Sequence, residues 1–174
     1  MKKNLPVTGV EQTFSDQTNI LSTTNLKGQI TYINDDFVAI SGFTREELIG
    51  QNHHIVRHPD MPSPVFKMFW NDLKADRSWM GIVKNRCKNG DHYWVDAYAT
   101  PIKKEGNIQE YQSVRRSAKP EFVARATAVY QRINQGQQHP KTRSALALWK
   151  KVALACVTPA LLPLAAWLIS DSLS

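Results

Sequence analysis

Hydrophobic positions change their period several times along this chain, and each change marks an element. "ILSTTNL" and "QITYIN" are rich in β-branched residues and meet through Lys27 and Gly28, which predicts a hairpin. Two short helices are predicted next. The first is "DDFVAIS"; the second is "TREELIG", where Thr44 and Glu47 have capping-box spacing and Gly50 can close the C-terminus. In "SPVFKMFWNDLKAD", Ser63 as N-cap and Pro64 at the first helical position start a helix whose inward stripe runs through Val65, Met68, Phe69 and Leu73. Three strands follow, "WMGIVKNRCK", "DHYWVDAYAT" and "IQEYQSVRRS", the first two joined by Asn89 and Gly90 as a type I′ hairpin. On the first of these strands Trp79, Gly81, Val83, Asn85 and Cys87 share one face; Met80, Ile82, Lys84, Arg86 and Lys88 share the other, which reads as basic and solvated.

The order is two strands, several short helices, then a three-stranded meander. An α+β domain with one five-stranded antiparallel sheet and short helices on one face buries it economically. Beyond it, "PEFVARATAVYQRINQ" places Phe122, Ala126, Val129, Tyr130 and Ile133 on one stripe, a linker helix opened by Pro120. That helix either covers its own sheet or meets a second subunit. "VALACVTPALLPLAAWLIS", Val152 to Ser170, carries no charge and approaches the length of a membrane span, although Pro159 and Pro163 disturb a straight helix. Lys141, Arg143, Lys150 and Lys151 precede it, the basic flank of a cytoplasmic side, and they also suit anionic lipid headgroups. A buried C-terminal helix is the alternative for this run. The stop at Ser174, just past the run, points to a downstream signalling domain missing from this chain.

Apolar residues make up 42% of the 174, enough for one core. The net charge is +7, with the basic excess after residue 60; nucleic acid, anionic lipid and a phosphorylated cofactor each fit charge alone. Few exposed aromatics accompany the basic residues, and the richest basic run abuts the apolar segment, so lipid is favoured over nucleic acid. The two cysteines, Cys87 and Cys156, form no paired motif, and "MKKNLPVTGVEQTFSD" lacks a secretory apolar run. A reducing, cytoplasmic setting follows. No nucleophile elbow or P-loop occurs, so no turnover reaction is expected.

"HHIVRHPDMPSPVF" gathers the candidate chemistry. Pro59, Pro62 and Pro64 stiffen a loop that can aim Arg57, His58 and Asp60 at one ligand; a Pro-rich turn with solvated Arg and Asp explains the same residues. His53, His54, His58 and Asp60 are also possible metal ligands, but Pro59 breaks the helix that the His54–His58 spacing requires. By themselves Trp70 and Trp79 read as core aromatics, and only the neighbouring loop makes them candidate walls of a cofactor site. Asn85 inside a strand needs a partner for its amide, and a ligand edge supplies one.

"GQITYINDDFVAISGFTREELIGQNHHIVRHPDMP" together with "GIVKNRCKNGDHYWVDAYATPI" resembles the PAS domain of bacterial aerotaxis receptors, membrane-bound chemotaxis transducers that sense redox state through non-covalent FAD. The resemblance covers residues 20–118. It implies a PAS fold preceded by a cap at 1–19 and followed by a helical, basic linker at 119–151 and the start of a membrane anchor at 152–174. It further implies an FAD site drawn from Asn34, His53, Arg57, His58, Asp60, Trp70, Trp79 and Asn85 and self-association as a homodimer; the basic flank before the apolar run, independently of the resemblance, predicts a place on the cytoplasmic face of the inner membrane. The alternative within the family is an interaction module that holds haem or no ligand.

Overall fold

The computed structural model describes residues 4–137. Strands β1 (Ile20–Asn25), β2 (Ile30–Ile33), β3 (Trp79–Arg86), β4 (His92–Lys104) and β5 (Asn107–Ser117) form one antiparallel sheet in the order β2-β1-β5-β4-β3. The last strand therefore lies between the first hairpin and the β3–β4 hairpin. Helices α1 (Asp35–Ser41), α2 (Arg45–Leu48), a 3-10 turn (His53–Val56) and α3 (Ser63–Lys74) connect the two halves, and α4 (Pro120–Asn134) follows β5.

Local chemistry explains the connections. Asn25 closes the first hairpin by accepting the backbone N–H groups of Lys27 and Gln29 on its side chain, with Gly28 at φ 76°. Thr44 and Glu47 form the expected capping box on α2. Helix α3 starts one residue earlier than predicted: Pro62 occupies the N-cap position, so Ser63 is already helical and caps nothing. The β3–β4 connection also differs from the expected type I′ turn. Gly90 N–H donates to Cys87 O around Lys88 and Asn89, neither of which has positive φ, and Gly90 follows at φ 103°. A type I turn closed by a glycine bulge serves here, because Asn89 spends its side chain on the Asp91 N–H and carboxylate.

The core lies between the sheet and α1 to α3. Ile20, Ile30, Ile33, Phe37, Leu48, Val56, Met61, Tyr93 and Val95 are fully or almost fully buried there, each large aliphatic or aromatic contributing about 1.5–3 kcal/mol. The second face of β3 is not the solvated basic row expected. Arg86 is buried and donates from Nε to Pro6 O, and Lys84 lies between Asp60 and the Trp94 ring. The N-terminal segment and α4 cover this side: Gln12 N and His92 N donate to His92 O and Val10 O, and the Tyr130 hydroxyl donates to Ile82 O. Helix α4 turns Ala126 and Tyr130 inward, whereas Phe122, expected on that stripe, is exposed. Among the described residues no helix is long and apolar enough to cross a membrane; the apolar run at 152–170 and its basic flank lie outside them.

Candidate functional site

A cavity of about 350 Å³ opens between α3 and the inner face of the sheet. Its origin is a set of small residues. In register across the sheet, Gly81 faces Ala97 and Ala97 faces Arg115, while Trp79, Ala99, Ser113 and Ser22 make the neighbouring row. Where a sheet packed only on helices would present Val or Ile, the central strands present Ala and Ser, and side chains from α3 do not fill the gap. Trp70, Phe66 and Phe69 from α3, with Trp79 and Tyr111 from the sheet, form aromatic walls. Phe69 stands edge-on to both Trp70 and Trp79, at 5.0 and 5.1 Å. These mutual contacts fix the ring orientations.

One end of the cavity is polar. Arg115 is buried; its Nη2 donates to Ser22 Oγ (2.9 Å) and lies 2.7 Å from His53 Nε2, while its Nη1 is buried without a protein hydrogen-bond partner. Burial lowers its pKa to about 10, so it remains cationic at neutral pH. Burial first, and then the Arg115 charge, hold the His53 pKa well below 6.5. His53 is thus neutral and accepts from Arg115 on Nε2, which locks the guanidinium in place. Asn85 is buried on the same inner face, opposite Tyr93. A buried guanidinium is costly to leave uncompensated, and no carboxylate of the described residues neutralises this one. The cavity therefore suits a flat apolar molecule with a hydrogen-bond-accepting or anionic edge.

Of the residues singled out in the sequence, His53, Arg57, Trp70, Trp79 and Asn85 line this cavity together. Asn34 does not. Its Oδ1 accepts from Leu21 N and Phe37 N and its Nδ2 donates to Asn19 O, so it caps α1 and ties it to β1. His58 and Asp60 also lie elsewhere: His58 Nδ1 accepts from Asp60 N, its ring packs on His92 at 5.6 Å, and the Asp60 carboxylate holds Lys84 at 2.8 Å. The prolines stiffen the loop as expected, but they carry these two side chains past the cavity to the edge of β3. Among the described residues no three histidine, cysteine or carboxylate groups gather as a metal site. Arg115, Phe66, Ser22, Ala97, Ala99 and Ser113 escaped the sequence reading. Strict alternation in "IQEYQSVRRS", which puts Tyr111, Ser113 and Arg115 on one face, was the signal available for the first.

Gly81 serves the site indirectly, since a Cβ there would sit 2.5 Å from Cη2 of Trp79. Gly81→Ala is expected to push the Trp79 ring off its place over the strand and shift its fluorescence maximum. An unchanged emission spectrum in that variant would contradict the packing described.

Residues 30–115 match the family described as the PAS fold. The aerotaxis receptor of Escherichia coli strain K12 is 45% identical over 144 residues, 83% of this chain and 28% of the receptor. The nitrogen fixation regulatory protein of Klebsiella pneumoniae is 26% identical over 110 residues, 62% of this chain and 22% of that protein. The chain spans about a quarter of the length of these curated relatives. Among solved structures, the dark state of the blue-light photoreceptor Aureochrome1 LOV superposes with a TM-score of 0.57 at 17% identity, covering 66% of this chain and 86% of that one. With the strand order β2-β1-β5-β4-β3 and the helices over its inner face, these matches place the chain in the PAS family.

Proposed function

We propose that this domain is a sensory PAS module that holds FAD in the inner-face cavity and converts the redox state of the flavin into a conformational signal for aerotaxis. The observation that carries the reading is Arg115, a buried cation with an unpartnered Nη1, at the polar end of a cavity otherwise walled by tryptophan, phenylalanine and tyrosine. An isoalloxazine ring has the matching form: a flat apolar body and one edge of carbonyls and ring nitrogens. Arg115 and Asn85 would meet that edge, and the aromatic walls would pack on the ring. Arg57 and Lys67, on the same lining, supply positive charge for a pyrophosphate. Support also comes from the identity to an aerotaxis receptor and from the fold shared with a light-oxygen-voltage domain on whose mechanism a flavin analogue sheds light.

When bound, the flavin supplies one- or two-electron redox chemistry. The protein's part is electrostatic: a fixed guanidinium beside neutral His53 favours the form that has gained negative charge on reduction. The wider reading extends to the whole chain. The basic flank and apolar run after residue 138 anchor it to the inner membrane with this domain on the cytoplasmic side, it self-associates, and a downstream signalling domain receives the output.

Purified chain should be yellow and release FAD on denaturation. Arg115→Met should lower the flavin reduction potential, by about 60 mV for each tenfold loss in stabilisation of the one-electron-reduced form, with Asn85→Ala acting in part the same way. Colourless protein that takes up no added flavin would defeat the reading and leave the family's interaction-module alternative.

A further inference from the structure

The loop Arg57–Met61 touches two parts of the molecule at once. At one end Arg57 lines the cavity, donates from Nη2 to Met61 O, and pairs through its backbone with Asn85 at the free edge of β3. Along that edge His58 N donates to Lys84 O (3.4 Å) and Lys84 N meets Met61 Sδ (3.3 Å). At the other end Asp60 O accepts from Asn134 Nδ2 of α4 (2.8 Å), and the Asp60 carboxylate holds Lys84. The Tyr130 hydroxyl of α4 takes the next carbonyl of the same edge, Ile82 O, at 2.5 Å. Loop and helix thus share one strand edge and are bonded to each other.

Two features make this contact a coupling rather than simple edge protection. Pro59 and Pro62 remove most internal freedom from the loop, so a shift of Arg57 is carried to Asp60 instead of being absorbed between them. Helix α4 is lightly docked in return: Ala126 is its one buried residue, and its second half is held by the half-buried Tyr130 ring against the core and by polar bonds to Asp60 O and Ile82 O. An element held by so few contacts changes its docked population when one of them moves.

We propose that the Arg57–Met61 loop couples occupancy of the inner-face cavity to the docking of α4, with His58 and Asp60 acting as coupling residues and not as ligand contacts. The coupling goes beyond the flavin reading, since any occupant that engages Arg57 operates it.

Hydrogen exchange read by mass spectrometry on the full chain tests this without ligand. Arg57→Ala should raise exchange across 120–134 about fivefold or more, while Leu26→Ala, a change at an exposed position of the β1–β2 connection, should leave α4 as in wild type. Protection of β4 and β5 monitors folding. Should Arg57→Ala lose that protection, Lys84→Met decides instead, because it cuts the loop at its α4 end and leaves the cavity lining intact. Wild-type exchange in α4 for the folded variant overturns the proposal. A second arm adds FAD: Tyr130→Phe with Asn134→Ala should change its affinity by the factor by which FAD changes α4 exchange. Absence of FAD binding to wild type would sink the flavin reading alone, with the ligand-free arm still deciding the coupling.

Discussion

Ala97→Leu should abolish the flavin binding proposed for the inner-face cavity and leave a folded domain. Ala97 is buried at the centre of the inner face, between Gly81 on β3 and Arg115 on β5. A leucine there adds three carbons into the cavity of about 350 Å³. In a filled core such an insertion costs about 1–3 kcal/mol through strain; here the space exists already, so the apo domain should keep its thermal midpoint or gain slightly. For a planar ligand the same carbons lie in the space it needs. Retained flavin after purification, read as the ratio of visible to ultraviolet absorbance, should fall at least about tenfold, on the order of 1.4 kcal/mol or more of lost binding. Met80→Ala, on the exposed outer face of β3, should leave the ratio unchanged. Full flavin content in the leucine variant would place the ligand outside this cavity.

That variant targets a residue to which sequence inspection gives no weight, which says where the sequence was legible. Elements were readable because their signals are local: the Thr44–Glu47 capping box, the turn at Lys27 and Gly28 and the alternation of Trp79, Val83 and Asn85 each depend on neighbours within a few residues. Even there, Ser63 lost its capping role to Pro62, a shift of one position that composition cannot resolve. The site was legible only in its large side chains. Trp70, Trp79 and Asn85 announce themselves by size or by polarity in a strand, whereas a cavity consists of what is missing. Ala97, Ala99, Ser22 and Ser113 create the space only because strands distant in sequence align them in adjacent rows. Asn34, His58 and Asp60 mark the opposite problem. Each carries groups able to hold a ligand, but backbone N–H and C=O groups and Lys84 engage those groups first. Polarity in a loop does not reveal whether its partner is a ligand or the chain itself.

Acid should unfold this domain in a pH range set by its buried histidines. His53, His58 and His92 are all held neutral. Burial lowers each pKa first; Arg115 adds to the effect at His53, and Lys84 adds to it at His58 and His92. The His58 value falls to about 4. The unfolded chain takes up protons on these rings near pH 6.5 and the folded chain does not, so it binds more protons wherever pH lies below 6.5 and above the folded values. Stability is therefore complete above about pH 6.5 and declines as pH falls toward 4, with His58 alone accounting for roughly 3 kcal/mol across that interval. Asp60 and Asp91, whose pKa values are lowered by bonds to Lys84 and to Thr8, Gln12 and Asn89, add their losses only below the ordinary carboxylate range near 3.8. The two regions are thus separable in one titration. Urea unfolding at about pH 7.5 and at about pH 5 should show a large loss of midpoint in wild type. His58→Gln, whose amide can still accept the Asp60 N–H but cannot titrate, should lose measurably less between the same two conditions. An equal pH-dependent loss in both proteins would mean that His58 titrates in the fold as it does in the unfolded chain, and the buried packing of His58 on His92 would have to be redrawn.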